Sequence, residues 1–384
     1  MPHTRRVPAV ERWIAAATAC VVAAGVGIAA ASTGGGGSRP AAAPAVASTP
    51  TPTPSTASPA PKPSPKPKPK PKPAAKAAPL FPIPAPPAYP TGCPPRKLPP
   101  GPPFHPPTPT VATADLPAPV GVPRTRHVDL RAVTGKGMWL TTWPDSTLDA
   151  AKVVAQARAA GLRQLWIRTG GTKQGWYGRK FLDALLPRAH AAGIAVIAWD
   201  FPALSDPVAD AKRAAIAITG TFGGRHIDGF SPDIETIYEG TFNAPRRVAV
   251  YLALVRRAAG NLPIIATVMR PTPYQLKTYP YRAEAPYVDV FAPMVYWSCN
   301  EPGTLAVQSV RALAKLRPVH LVGQSYDMAP EGGRRGLPSA REIWRFLDAG
   351  KRAGAIGASL YVYAETRAPQ WTALGAYPWR GSAG

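Results

Sequence analysis

Residues 195–235 read AVIAWDFPALSDPVADAKRAAIAITGTFGGRHIDGFSPDIE and contain one complete strand–helix–strand pattern. The apolar runs at the two ends are short and rich in β-branched and aromatic residues, which favours strands. The alanine-rich run between them opens with Asp206 and Pro207 and closes with Gly220, the usual start and stop signals of a helix. Parallel strands need such a crossover, so this stretch predicts a βαβ unit.

The same unit recurs along the chain after Gly135. We predict eight strands, at 138–143, 164–169, 195–201, 227–235, 263–270, 288–297, 319–326 and 356–364, with helices between them. Only the helix after the fifth strand is reduced to a turn or two. An open doubly wound sheet is the alternative, but eight units without a dinucleotide-binding GxGxxG pattern favour a closed (β/α)₈ barrel of the TIM type. The predicted class is therefore α/β, with one barrel at 124–384.

The N-terminal third of the chain has a different composition. Two arginines, Arg5 and Arg6, precede an uncharged apolar run at 13–31, so residues 1–31 predict a signal peptide or a single N-terminal membrane helix. We expect the protein to be secreted or anchored outside the cytoplasm. Residues 32–123 are rich in proline, alanine and lysine and predict a disordered tether. Its lysines between Lys62 and Lys76 would associate with anionic cell-wall polymers or lipid headgroups.

The charge and the cysteines limit the classes of partner. The chain has a net charge of +24, and residues 124–384 hold 33 Lys and Arg against 19 Asp and Glu, a net charge of +14. Without a nucleic-acid recognition motif, this favours a basic, solubilising surface over a nucleic-acid site. A bridge between Cys93 and Cys299 is one of two open possibilities, the other being two free thiols. Cysteine and histidine spacings indicate no metal or other cofactor, and we expect a monomer.

Carboxylates and aromatic residues end the predicted strands. In a barrel of this kind the carboxyl ends of the strands meet at one mouth, where the chemistry lies. The residues expected there are Trp143, Arg168, Asp200, Asp233, Glu235, Arg270, Tyr296, Trp297, Tyr326, Asp327, Tyr363 and Glu365. Aromatic faces stack on sugar rings while carboxylates bond hydroxyl groups, so this set predicts a carbohydrate groove.

The fourth predicted strand carries the densest group of acids. Side chains alternate along a strand, so Ser231, Asp233 and Glu235 are expected on the inner side, with Glu235 nearest the mouth. Carboxylates two residues apart lie within about 7 Å, close enough for one to raise the pKa of the other and keep a proton available. A structural ion pair with Arg168 or Arg270 is the alternative. For Asp228, at the start of the strand, the structural and functional interpretations are equally open.

Two motifs resemble family 18 glycoside hydrolases, the chitinases and endo-N-acetylglucosaminidases. DGFSPDIE, at 228–235, is similar to the family's DGxDxDxE signature, with Ser231 in place of the second Asp. APMVYW, at 292–297, resembles its M-x-Y-D run, with Trp297 in place of the Asp. The resemblance implies that Glu235 is the general acid, that Asp233 orients the substrate's N-acetyl group for attack on the anomeric carbon, and that Tyr296 holds the same group.

These observations predict an exported, envelope-tethered glycoside hydrolase that acts on a polysaccharide, N-acetylated or not, with Glu235 as general acid. The residues expected to bind substrate are Asp228, Trp143, Asp200, Arg168, Arg270, Trp297, Tyr326, Asp327 and Glu365. Two alternatives stay open. Glu365 or Asp327 could supply the second catalytic carboxylate, or the barrel could bind carbohydrate without turnover, as a lectin-like or wall scaffold protein.

Overall fold

The computed structural model describes residues 108–121, 127–331 and 333–379, in which eight parallel strands alternate with helices. The strands are β1 Gly135–Leu140, β2 Gln164–Gly171, β3 Ala195–Phe201, β4 Gly229–Pro232, β5 Ile265–Val268, β6 Val290–Val295, β7 His320–Gln324 and β8 Gly357–Tyr361. The α-helices are α1 Ala150–Ala159, α2 Arg179–Ala191, α3 Pro207–Thr219, α4 Pro245–Ala259, α5 Gln275–Thr278, α6 Tyr281–Glu284, α7 Pro302–Leu313, α8 Ala340–Arg352 and α9 Ala368–Ala376.

The strands form a ring, as expected for the barrel. They pair in the order β4-β3-β2-β1-β8-β7-β6-β5. Two isolated parallel bridges, Phe230 with Ile264 and Asp233 with Thr267, connect β4 to β5 and complete the circle. A two-residue strand, Gly175–Trp176, pairs antiparallel with the end of β2. The predicted (β/α)₈ architecture is therefore confirmed, although several strands end earlier than predicted, so that Asp233 and Glu235 lie just beyond β4.

Large aromatic side chains fill the inside of the barrel. Trp139 and Trp166 stack with ring centroids 4.6 Å apart, and Trp199 meets Trp139 edge-on at 5.5 Å. Val133, in a short 3₁₀-helix before β1, belongs to the same buried cluster. A second, larger cluster lies between the strands and the helices and includes Phe230. The interior of the barrel below the mouth is therefore filled by packed side chains, which limits movement of the side chains that line the mouth.

Residues 108–121 lie against the barrel, which differs from the prediction that the tether extends to residue 123. Arg247, a buried residue of α4, donates hydrogen bonds to the carbonyl oxygens of Val111, Leu204 and Ser205 at 2.7–2.8 Å. The backbone N–H of Val111 in turn donates to the oxygen of Ser205 at 3.1 Å. This segment therefore belongs to the folded domain and is attached where α3 and α4 begin.

The remaining predictions for the N-terminal region fall on residues outside those described, including the apolar run at 13–31, the tether up to residue 107 and Cys93. Cys299, in contrast, is described and is disulfide-bonded. A search of the described residues finds no helix that is long and apolar enough to cross a membrane.

Candidate functional site

Two carboxyl groups, those of Asp233 and Glu235, follow directly after β4 in the chain. The hydroxyl of Ser231 donates to the carbonyl oxygen of Ile265 at 2.7 Å and lies 2.8 Å from the hydroxyl of Thr267, both on β5. Phe230, by contrast, packs in the helix layer. This alternation places Asp233 on the same inner side as Ser231, at the carboxyl end of the strand, as the pattern of the sequence predicts.

Asp233 is buried and incompletely bonded. The residue is only 7% exposed, and its Oδ1 atom has no hydrogen-bond partner among the described residues. Its backbone N–H donates to the carbonyl oxygen of Asp200 at 2.9 Å, which fixes the main chain. Burial raises the pKa of the Asp233 carboxyl above its usual range, the charge of Arg168 opposes that rise and Asp200 adds to it. Asp233 thus holds a buried acceptor atom that is left without a partner among the described residues.

Glu235 is the group best placed to hold a proton. Burial raises its pKa well above the usual value, and the carboxyl groups of Asp233, Glu239 and Glu331 raise it further. Arg168 acts in the opposite direction but does not cancel these effects. A carboxyl group that stays protonated near neutral pH can donate that proton to a bound substrate.

Arg168, in β2, is a cation whose charge acts on both of these acids. Its guanidinium carbon lies 4.3 Å from the ring centroid of Trp143 and 5.2 Å from that of Trp199. Its charge lowers the pKa values of Asp233, Glu235 and Asp200, so it acts on the acids of β3 and β4 together. Trp143 and Trp199 thus help to fix a positive charge at the mouth.

Three tyrosines line the mouth on the side opposite Asp233 and Glu235. The rings of Tyr296 and Tyr326 meet edge-on at 5.5 Å, and Tyr361 lies 6.0 Å from the first and 5.8 Å from the second. The hydroxyl of Tyr326 donates to Glu331 at 2.9 Å. Burial raises the pKa of Tyr296, and Asp233 and Glu235 raise it further, which places its hydroxyl in the same electrostatic environment as the two acids. Predicted residues Tyr296 and Tyr326 therefore do lie at the site.

Asp200 and Asp228 do not face the mouth, contrary to the prediction that they bind substrate. Asp200 is buried and paired with Arg213 of α3, with Nε and Oδ2 3.0 Å apart, because it follows the inward-facing Trp199 and so faces outward. Burial raises its pKa to about 6. Asp228 lies at the opposite end of β4, where it accepts hydrogen bonds from the backbone N–H of Val196 and bonds the ring of His190. Both carboxylates support the fold.

Trp297 is also misplaced by the prediction. Its ring is fully buried and packs on Phe346 of α8 with centroids 5.3 Å apart, so it belongs to the helix layer and is not available for sugar stacking. The cause is again alternation, because Tyr296 faces inward and its neighbour must face outward.

The remaining predicted residues lie near the rim in less direct roles. Asp327 accepts a hydrogen bond from the backbone N–H of Ala329 at 2.8 Å and thereby shapes the loop after β7. Glu365 is exposed, and its charge raises the pKa of Glu331. Arg270 is half-buried near Tyr281. None of these three affects Asp233 and Glu235 as directly as Arg168 does.

Two residues that sequence reasoning missed belong to the site. Glu331 lies in a 3₁₀-helix, Ala329–Glu331, within a loop that has no periodic pattern, so nothing in the sequence singles it out. Tyr361 is the last residue of β8, and the inward alternation from Ser359, which bonds the buried Trp139, could have identified it. Among the described residues, no group of three or more His, Cys, Asp or Glu side chains is arranged to hold a metal ion.

Comparison with known proteins gives similarity in fold only. No protein-family model and no curated protein sequence matches the chain. Among solved structures, the chain is similar to a class V chitinase from Pseudomonas fluorescens, with 15% identity, a TM-score of 0.47, and coverage of 63% of this chain and 99% of that one. A chitinase from Chromobacterium violaceum shows 13% identity and a TM-score of 0.48 over 63% of this chain and 98% of that one. The Bacillus cereus spore cortex-lytic enzyme SleL shows 13% identity and a TM-score of 0.48 over 63% and 74%. The barrel is therefore assigned from the pairing of its strands, and its chemistry is inferred from the residues at its mouth.

Proposed function

We propose that this barrel is a glycoside hydrolase that cleaves a polysaccharide, with Glu235 as the proton donor. One observation carries the proposal: a carboxyl group with a raised pKa lies next to a second buried carboxyl group at the mouth of the barrel, opposite three tyrosines. Cleavage of a glycosidic bond needs a protonated acid beside the leaving oxygen, and aromatic side chains suit sugar rings.

The steps follow from the roles of two carboxyl groups. Glu235 gives its proton to the glycosidic oxygen as the bond to the anomeric carbon breaks. Where the sugar carries an N-acetyl group, the acetyl oxygen attacks that carbon while the carboxylate of Asp233 accepts a hydrogen bond from the amide N–H. Tyr296 would hold the acetyl group through its hydroxyl. A water molecule then attacks the anomeric carbon and opens the cyclic intermediate. The Glu235 carboxylate takes a proton from that water, which restores the acid.

The serine at position 231 changes the electrostatics of this scheme. Both oxygen contacts of Ser231 are to β5, and its hydroxyl cannot supply the charge of a carboxylate. Arg168 instead supplies the charge that opposes the rise in the Asp233 pKa. The charge of Arg168 therefore limits the rise in the Asp233 pKa without reversing it.

Export and attachment to the envelope belong to the same proposal. The apolar run at 13–31 and the lysine-rich stretch at 62–76 support them, and the substrate would then be a polysaccharide met outside the cytoplasm.

The test is release of reducing sugar from a panel of wall polysaccharides, chitin oligomers and peptidoglycan by the full-length protein. We expect activity in the wild type and a loss of about 10²- to 10⁴-fold in Glu235→Gln, which keeps the shape of the side chain but cannot donate the proton. The matched control is Asp145→Asn, which removes an exposed acid from the loop after β1 and should leave the rate unchanged.

The competing function is a barrel that binds carbohydrate without turnover. The replacement of the family's second Asp by Ser231, and of its later Asp by the buried Trp297, favours it. Equal pull-down of a glycan by wild type and Glu235→Gln, with no sugar released by either, would establish the binding function and reject the hydrolase.

A further inference from the structure

Arg168 carries a buried positive charge that no described residue neutralises by contact. The residue is 7% exposed, and its Nε–H has no hydrogen-bond partner in the part of the chain that the structure describes. Within the described part of the chain, no ion pair and no hydrogen bond involves its side chain. A buried charge without a counter-charge destabilises a fold, so an unpaired guanidinium at a barrel mouth indicates a ligand that would pair with it.

The aromatic neighbours of Arg168 leave its donors free. The guanidinium carbon lies 4.3 Å from the ring centroid of Trp143, 5.2 Å from that of Trp199 and 5.9 Å from that of Phe201. Such cation–π contacts restrain the group through the attraction between its charge and the ring faces, and they use none of its N–H bonds. The result is a planar fork of donors held in place in advance of any ligand.

The nearby acids do not take up this charge. Asp200 is bound by Arg213, which also pairs with Asp210 at 2.6 Å. Asp233 and Glu235 lie more than an ion-pair distance from Arg168, and burial favours their neutral forms. Among the described residues, no carboxylate therefore lies within ion-pair distance of Arg168.

We propose that Arg168 binds a carboxylate carried by the sugar in the mouth, so that the preferred polysaccharide is an acidic one. This inference names the substrate class for the proposed function and rests on it for the position of the sugar. The guanidinium fork matches a carboxylate with two parallel hydrogen bonds, whereas a neutral hydroxyl would leave the charge uncompensated. The net charge of +14 on residues 124–384 would attract the same kind of polymer.

Binding of matched sugars to the full-length protein tests the inference without requiring turnover. The pairs are glucuronic acid with glucose, galacturonic acid with galactose, and N-acetylmuramic acid with N-acetylglucosamine, titrated by calorimetry at about 0.15 M salt to screen distant charges. We expect at least one acid to bind roughly tenfold or more tightly than its neutral partner, the size of one charge-assisted contact.

Three variants locate the effect. Arg168→Gln removes the charge and should abolish the preference for the acid, and Arg168→Lys keeps the charge but loses the fork, so it should retain only part of the preference. Arg163→Gln, an exposed arginine before the other end of β2, should keep all of it. Circular dichroism of each variant checks that the barrel is folded.

Equal affinity for every acid and its neutral partner, no binding of any acid, or a preference that survives Arg168→Gln would each overturn the inference. The result is independent of catalysis. An acid preference that depends on Arg168, combined with no sugar release from any polymer, would reject the hydrolase and leave the anionic subsite. Release of sugar without such a preference would support the hydrolase and reject the anionic subsite.

Discussion

At the scale of the residue, Glu235 depends on its surroundings for its proton. Burial has the largest effect on its pKa, followed by Asp233, Glu239 and Glu331, while Arg168 acts against them. Glu331 comes from a loop and is tied to Tyr326, so part of the acid's character comes from outside the strand that carries it. As the proposed general acid, Glu235 works only while protonated, so its raised pKa would extend activity toward higher pH.

The pH dependence of the rate can therefore be shifted in a chosen direction. Activity should fall as the pH rises through the pKa of Glu235. Glu331→Gln removes a charge that raises this pKa, so we expect the alkaline limb of kcat/KM to move to lower pH, with the acid limb changed less. The measurement is a pH profile on the polysaccharide that gives activity, with Asp145→Asn for comparison. A limb that stays in place would show that Glu331 does not act on the catalytic acid.

Single-residue prediction from sequence succeeded where alternation was applied and failed where it was not. The inner position expected for Ser231 agrees with its contacts to β5, because the direction of each side chain on β4 was considered, while the roles of Asp233 and Glu235 stay predictions. At the end of β6, Tyr296 and Trp297 are both predicted at the mouth although only one of them can face inward, and at the end of β3 the prediction for Asp200 ignores the inward direction of its neighbour Trp199. Asp200 and Trp297 were assigned wrongly for this reason.

At the scale of the element, α3 is fixed to β3 and to the loop between them by one arginine. Arg213 pairs with Asp200 and Asp210, and Asp210 also accepts hydrogen bonds from Thr172 and from the backbone N–H of Leu204. The helix bounds were predictable from Asp206, Pro207 and Gly220. The ion pair was not, because a helix arginine ordinarily faces solvent and only the assembled layers show that this one faces the strands.

Removing Arg213 should destabilise the barrel. Arg213→Met leaves two buried carboxylates without their partner, and we expect a loss of about 3 kcal/mol in the free energy of unfolding, or roughly 10 °C in Tm. Lys212→Met, an exposed neighbour on the same helix, is the control and should have little effect. Thermal unfolding followed by circular dichroism measures both.

The pH dependence of that loss has a definite sign. The folded-state pKa of Asp200, about 6, already lies above its usual 3.8, and loss of the Arg213 charge raises it further. A carboxyl with a raised folded-state pKa contributes stability at low pH and loses it as the pH rises through that pKa. The deficit of Arg213→Met should therefore be larger at pH 8 than at pH 5, and a deficit independent of pH would contradict this account.

At the scale of the whole molecule, the barrel and its N-terminal segment form one folded unit. Arg247 holds the oxygens of Val111, Leu204 and Ser205 together, so residues 108–121 are bonded to the loop after β3 and to the start of α4. The eight-unit repeat made the barrel predictable from sequence. The docked segment was not, because its composition continues that of the tether, and its contacts use backbone groups and two threonine hydroxyls that no sequence pattern singles out.

Arg247→Met should release this segment while leaving the barrel folded. We expect the amide groups of residues 108–121 to exchange hydrogen faster by about tenfold or more, the equivalent of roughly 1.4 kcal/mol of lost local stability. Hydrogen-exchange mass spectrometry measures this directly, and Arg257→Met, an exposed arginine on the same helix, serves as the control. Unchanged exchange in the segment would show that other contacts hold it.

The position of that segment also determines where a surface-bound protein would act. Leu204 and Ser205 follow β3, and Arg247 lies in the first turn of α4, so the segment joins the domain at the same rim as Glu235. If the chain before residue 108 is attached to a surface or polymer, the attachment therefore holds the rim that carries Glu235 close to that material. If that material is the polymer being cleaved, the attachment raises the effective concentration of substrate at the mouth. Removal of the residues before 108 would then lower the rate on the insoluble polymer and leave the rate on short soluble fragments unchanged.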